Sequence, residues 1–458
     1  MTARVRGRLL TLAPLVLMAG LYAFLATRIG VGVESGGPDE TARLLVPKAM
    51  LSGDLLPSGY NPVTVMNWSE YPYSGNYSYA FYPQLLGAYV TALFMFVARV
   101  LGAAPAWQLV AARLSSAAWG VVGAYFVGRT VRACYDREDD GYVYGALASV
   151  LVGFWPQYAF LSAYVNNDVV GTAGVAMLVC ALVLGIRQGW TPRRCALLAA
   201  GIVVCALGYL STYGFILAAI VVFIHSSLVQ PGRSKAEAWR SVGLTALACA
   251  VCTLPFFAVN VVRYGDVIGS RVFEEQHLAW VAQGNEPLMR PYDGSFWSLM
   301  LLDPFVSTTL RSFVGVFGYM YTAAPDVVRC WYWLALLLGS GAFLGATRYR
   351  KSCRDPRWRV LAIALLGAVA ITVALHVWRT LNADYQAQGR YVIAILMPWC
   401  AVSALGIARI LGGNRLALGL FAVAYAAICV GTFLYITWHF SWPGIFVGSE
   451  EFLAMVIP

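Results

Sequence analysis

Apolar runs of about 20 residues recur along the whole chain, separated by short polar turns. Each is about long enough, as a helix, to cross a hydrocarbon layer of roughly 30 Å. The pattern predicts spans at approximately 8–29, 108–129, 142–164, 169–187, 195–211, 213–229, 241–260, 328–346, 360–377, 391–410 and 416–437, or eleven crossings. The expected fold is therefore an all-α integral membrane protein, with one polytopic membrane domain over 1–458. Loops 30–107 and 261–327 are its two large outer segments, and 378–390 is a third, shorter one. The first run, Leu9 to Ile29, is too long for a signal-peptide core and is not followed by a small-residue cleavage site, so it reads as a retained helix.

Charge orients these runs. Arg4, Arg6 and Arg8 precede the first, which places the N-terminus in the cytoplasm. Basic clusters follow at Arg129/Arg132/Arg137, Arg187/Arg193/Arg194, Arg233/Lys235/Arg240, Arg348 to Arg359 and Arg409/Arg415. All fall on the cytoplasmic side only if Phe81 to Leu101, itself apolar enough to cross, does not cross. That segment is expected as a helix lying at the outer surface or packed on the bundle, introduced by Tyr82 and Pro83. The C-terminus is then extracytoplasmic. The tail from Trp438 is expected to return to the membrane through Trp442, Phe446, Phe452 and Leu453. Loop 52–78, crowded with Gly, Pro, Asn, Ser and Tyr, is expected to lack regular structure.

Composition agrees. The chain is 60% hydrophobic and 12% charged, about half the charged share of a soluble protein, with mean hydropathy +0.67. The net charge of +10 sits in short loops where insertion topology demands it, so it argues for a bilayer and for no nucleic-acid partner. The ten cysteines offer no pair on the outer side, so no disulfide framework is expected. Cys249-Ala-Val-Cys252 falls mid-helix, where packing is the simpler reading. The four histidines form no metal spacing. Asn67-Trp68-Ser69 and Asn76-Tyr77-Ser78 match a sequon pattern too common to weigh.

Chemistry-bearing residues gather at the outer ends of the runs. Gly36-Gly37-Pro38-Asp39-Glu40 opens the first outer loop. Asp39 there is either a helix N-cap, with Glu40 facing the helix dipole, or a carboxylate held at the membrane face as base or metal ligand. Asn166-Asn167-Asp168 occupies an outer turn, where such residues also serve as plain turn formers. Gln386-Ala387-Gln388-Gly389-Arg390-Tyr391 and Arg263-Tyr264-Gly265-Asp266 each carry an arginine that either snorkels from a helix end or grips an anion by its fork.

In their order and membrane side these motifs, with Phe317-Gly318-Tyr319, resemble the GT-C superfamily of membrane glycosyltransferases. Protein O-mannosyltransferases and the aminoarabinose transferase that modifies lipid A have this general plan, and a group of bacterial members echoes the individual motifs. The likeness covers roughly residues 8 to 400. One departure is Arg43, where that group often has His. The resemblance implies a multi-pass plasma (inner) membrane protein of bacterial type. It implies inverting transfer of a sugar from a polyprenyl-phosphate donor to an extracytoplasmic acceptor that is a glycan, a lipid or a protein. On that reading Asp39 is the first choice of base and Glu40 the second. Asp168 orients the acceptor, steadies Asp39 or helps bind a metal. Arg390 and Arg263 take the donor phosphate, with Arg379 and Arg311 behind them, and Asn167, Gln388 and Tyr82 touch substrate. No cofactor is fixed; a divalent metal on Asp39, Glu40 and Asp168 is the one the motifs admit. Two other readings stand beside this one: a transporter or flippase of lipid-linked sugars, and a noncatalytic partner of a glycosylation system. Few ionisable residues fall mid-span, which counts against a transport pathway.

Overall fold

The structure is a computed structural model that describes residues 3–31, 36–68, 75–287, 289–346, 354–440, 442, 444–445 and 450–458. Ser69, Arg348 and Phe446, each named above, lie outside the described residues. The helices are α1 (Ala3–Arg28), α2 (Glu40–Leu51), α3 (Leu86–Val100), α4 (Pro105–Ala133), α5 (Glu138–Gly153), α6 (Pro156–Leu161), α7 (Asp168–Gln188), α8 (Pro192–Gly208), α9 (Tyr213–Leu228), α10 (Lys235–Tyr264), α11 (Ser270–Val281), α12 (Phe296–Leu301), α13 (Phe305–Gly315), α14 (Asp326–Leu344), α15 (Pro356–Asn382), α16 (Leu396–Ile410), α17 (Arg415–His439) and α18 (Glu450–Val456). Two short hairpins complete it: β1 (Met66–Trp68) with β2 (Gly75–Tyr77), pairing Met66 with Tyr77, and β3 (Val316–Phe317) with β4 (Thr322–Ala323).

Among the described residues nine helices are long and apolar enough to cross a membrane, not eleven. The segment 142–164 is the first difference. It breaks at Phe154–Trp155 into α5 and the six-residue α6, with Pro156 as the first residue of the new helix. The break turns Trp155 inward, where its Nε1 donates to the Phe313 carbonyl at 2.6 Å. The segment 195–211 is α8, which has 17 residues. Phe81 to Leu101 forms a helix only from Leu86. At 15 residues it spans about 22 Å, short of a full crossing. Its Gly87, Thr91, Ala92 and Met95 are buried, while Leu93, Phe96 and Val100 are exposed.

Helix α7 is the most buried of the candidate spans and packs against α4, α8 and α9. Its first residue, Asp168, is therefore buried too. Loop 52–78 is more ordered than its composition suggested, holding a 3-10 turn at Pro62–Thr64 and the β1–β2 hairpin. The C-terminal tail folds onto the protein. Phe452 and Val456 of α18 pack with Leu44 of α2 and Leu109 of α4, and Lys48 donates to the Met455 carbonyl at 2.6 Å.

One buried ion pair ties these parts together. Arg113 of α4, fully buried, donates Nε to Glu40 Oε1 at 2.9 Å and Nη2 to Oε2 at 2.6 Å. Its remaining donors reach the carbonyls of Ala26, Ile29 and Gly30, which close the end of α1. Glu40 Oε1 also accepts the Val165 amide at 2.9 Å. Removing one partner of such a pair strands a buried charge, at a cost of about 3–5 kcal/mol. Glu40→Gln and Arg113→Leu are each expected to lower the thermal unfolding midpoint markedly in detergent. A Glu40→Gln protein that unfolds at the wild-type temperature would refute a structural role for the pair.

Candidate active site

The site starts at an unusual backbone. Asp39 occupies the N-cap position of α2 with φ 64°, and Met320 is the only other described non-glycine residue with positive φ. Left-handed backbone costs a residue with a Cβ roughly 1–2 kcal/mol, less for Asp than for most. Asp39 has a capping residue's position without its bond: its side chain makes no cap hydrogen bond to α2. Oδ2 instead accepts from Arg390 Nη2 at 2.8 Å, and the Asp39 side chain keeps 25% exposure. The preceding turn fits because Gly37 carries no side chain; a Cβ there would stand 2.3 Å from the Tyr164 ring.

Arg390 is buried on the 3-10 turn Gly389–Ile395 that leads into α16. That turn lies hard against α13: a Cβ on Gly389 would meet the Phe313 amide nitrogen at 2.2 Å, and the Gly389 amide donates to Ser312 Oγ at 2.7 Å. Tyr391 then lies among the cations. Arg390 stands 4.9 Å and Arg379 5.9 Å from its ring centre, and Arg390 Nη2 also meets its hydroxyl at 3.0 Å. His376 stacks on the same ring with centroids 5.6 Å apart. Gln386 bridges from the Tyr391 hydroxyl to Asp384.

Arg43, one turn beyond Asp39, is buried like Arg390, whereas Arg379 is half-buried; Arg43 lies 4.2 Å from the Tyr79 ring centre. Arg43, Asp39 and Asp168 are within electrostatic reach of one another, and Arg379 acts on Asp39 as well. Three guanidiniums thus surround two carboxylates. Burial pushes the Asp39 carboxyl up, but Arg390, Arg43 and Arg379 together hold it below its ordinary value. Burial likewise raises the Tyr82 hydroxyl, to about 12.

The site contains buried polar atoms that the protein leaves unpaired. The Nε of Arg43, Arg379 and Arg390 and both carboxylate oxygens of Asp168 have no hydrogen-bond partner. Such atoms carry a desolvation cost of about 1–3 kcal/mol each, more when charged, unless a ligand or water meets them. Unpaired cationic donors fit an anion. A divalent metal fits less well: Glu40 is held by Arg113 and Val165, and no three His, Cys, Asp or Glu side chains converge among the described residues.

Other sequence candidates lie elsewhere. Arg263 donates to the Leu56 carbonyl at 2.8 Å, and the Tyr264 hydroxyl accepts the Gly59 amide at 2.9 Å. Asp266 accepts the amides of Ile268 and Arg271. The Arg263–Asp266 motif therefore fastens the loop over 261–327 to the loop over 30–107. Arg311 is exposed on α13. Asn167 donates to the Gln84 carbonyl at 3.3 Å and Gln388 to Gln386 at 2.7 Å. Tyr82 stands beside Arg379 and Arg43. Sequence reasoning passed over Arg43 as a departure from a family pattern. Its position one turn after Asp39, in a helix, was the available signal.

No family model and no curated protein sequence matches the chain. Solved structures do. ArnT from Cupriavidus metallidurans, solved bound to undecaprenyl phosphate, is similar at TM-score 0.51 and 14% identity over 97% of this chain and 75% of that one. The oligosaccharyltransferase of Archaeoglobus fulgidus in its apo form gives 0.50 and 15%, over 97% of this chain and 56% of that one. The chain thus spans about half the length of the archaeal protein. Both are GT-C superfamily membrane glycosyltransferases, and the chain shares their fold.

The ion pairing predicts how Asp39 titrates. Infrared difference spectra of wild type against Asp39→Asn should show the carboxyl protonating with a midpoint below its ordinary value. Arg390→Gln should move its appearance to higher pH, because burial then acts with less opposition. An unmoved transition would contradict the pairing.

Proposed function

We propose that the protein is a glycosyltransferase that moves a sugar, with inversion, from a polyprenyl-phosphate carrier to an acceptor hydroxyl at the outer face of the membrane. The observation that carries this reading is the group of buried Arg43 and Arg390 and half-buried Arg379, each with a buried, unpaired Nε, beside Asp39 and the unpartnered Asp168. The undecaprenyl phosphate bound to ArnT, which shares the fold, supports a lipid phosphate as the anion.

The chemistry follows from the charges. The donor phosphate binds the guanidiniums of Arg379, Arg390 and Arg43, which offset the charge it gains as the bond from the anomeric carbon to the phosphate oxygen breaks. The acceptor oxygen forms the new bond to that carbon and passes its proton to Asp39. The leaving group departs as polyprenyl phosphate. Before binding, three cations hold Asp39 ionised and weakly basic. An arriving phosphate offsets them, raises the proton affinity of Asp39 and prepares it to act as a base once donor is present. Asp168 accepts from a substrate hydroxyl, which meets its buried oxygens. Glu40 has no part in the chemistry, since both its oxygens are held.

Purified protein in lipid, given radiolabelled polyprenyl-phosphate sugars and extracted envelope acceptors, tests this. Wild type should transfer label. Asp39→Asn should lose about 10²- to 10⁴-fold in rate, with its unfolding temperature maintained, and Arg379→Gln should raise the donor KM. Full activity in Asp39→Asn would remove the base assignment. Movement of donor between leaflets without transfer would favour a flippase.

A further inference from the structure

Beside the charged group stands a set of rings with no role so far. Tyr77 at the end of β2, Tyr79, Tyr82 and Phe273 of α11 form a continuous wall. Centroids are 5.2 Å apart for Tyr77–Phe273, 5.4 Å for Tyr82–Phe273, 5.9 Å for Tyr77–Tyr79, 6.1 Å for Tyr79–Tyr82 and 6.2 Å for Tyr79–Phe273. All four are only partly buried, unlike the rings of the core. Among the described residues none of the three tyrosine hydroxyls has a protein hydrogen-bond partner. The wall is joined to the chemistry: Arg43 lies on Tyr79, Asp39 is the strongest charged influence on Tyr79, and Arg379 is that on Tyr82.

We infer that this wall is the acceptor subsite and that its ligand is a sugar ring, so that the acceptor is a saccharide. The inference rests on the transfer reading above. A pyranose has a C–H face that packs on aromatic rings and a rim of hydroxyls, and tyrosine hydroxyls set among apolar faces match both. The side is given by chain position. Arg379 and Arg390 sit at the ends of two candidate spans, the depth at which a lipid phosphate lies. The wall is built wholly from the two large outer loops, and its contact with the reacting groups runs through Tyr79 to Asp39, the proton acceptor for the incoming hydroxyl. A peptide or a lipid alcohol would leave the wall and its three hydroxyls without a matching ligand.

Saturation-transfer NMR on purified full-length protein tests this without turnover. The probes are methyl pyranosides of glucose, galactose and mannose, and separately farnesyl phosphate. Saturating the aromatic protons of wild type and of Asp39→Asn should transfer to the sugar C–H protons. Phe273→Ala, and Tyr77→Leu as a second variant, should weaken pyranoside binding about three- to tenfold and leave farnesyl phosphate binding as it was. Farnesyl-phosphate-linked mannose or glucose should leave the methyl pyranoside signal in place. No pyranoside signal in wild type, or one unchanged in both folded wall variants, overturns the inference. Displacement of the pyranoside by farnesyl-phosphate-linked sugar overturns it too, because the wall would then hold the donor sugar. Failure of the underlying transfer reading looks different: farnesyl phosphate then binds Arg379→Gln as well as it binds wild type.

Discussion

The arrangement depends on Arg113. Its guanidinium, wholly out of solvent, gathers the end of α1, the start of α2 and, through Glu40, the turn before α7. A planar fork with five donors suits this task, since it can close exposed helix carbonyls and grip a carboxylate in two places at once. The consequence is geometric. Asp39 immediately precedes Glu40, and Asp168 lies three residues beyond Val165. Fixing Glu40 to that guanidinium and Val165 to Glu40 therefore fixes the two acidic groups of the site relative to each other. Adjacent acidic residues have divided the work: Glu40 holds the structure and Asp39 faces Arg390, separated by the left-handed turn at Asp39.

The charged site itself shows the opposite pattern. Around Arg113 every donor is matched, whereas Arg43, Arg379 and Arg390 each keep an unmatched Nε and Asp168 keeps two unmatched oxygens. Polar atoms left so in a protein interior are costly. Five such atoms on charged side chains stand together here, beside backbone in an uncommon conformation, an arrangement that fits groups kept for a ligand. The same logic explains the charge state of Asp39, which the cations keep ionised until an anion offsets them.

Much of this was legible in the sequence. Apolar run length found the helical membrane architecture, and the motif order indicated the fold shared with ArnT and the archaeal oligosaccharyltransferase. The sequence also picked out Asp39, Asp168, Arg379 and Arg390, because ionisable residues are rare in an apolar chain and these fall at run ends. Other features were out of reach for physical reasons. Hydropathy does not register that Trp155 gains a buried hydrogen bond when its span breaks, so 142–164 looked continuous. Nothing local distinguishes Glu40 from Asp39, since their roles differ through Arg113, 73 residues away along the chain. Arg263 looked like an anion ligand, but it lies apart from the other arginines, its Nη1 donating to a loop carbonyl that no spacing rule predicts. The aromatic wall joins β2 to α11 across nearly two hundred residues and has no periodic signature.

The most direct measurement is an experimental structure of the purified protein in a lipid disc with farnesyl phosphate. The account predicts phosphate density among the guanidiniums of Arg43, Arg379 and Arg390, with Asp39 at its edge and Glu40 still held by Arg113. Phosphate bound instead at Arg263 or Arg311, or Asp39 turned away with Glu40 released from Arg113, would contradict it.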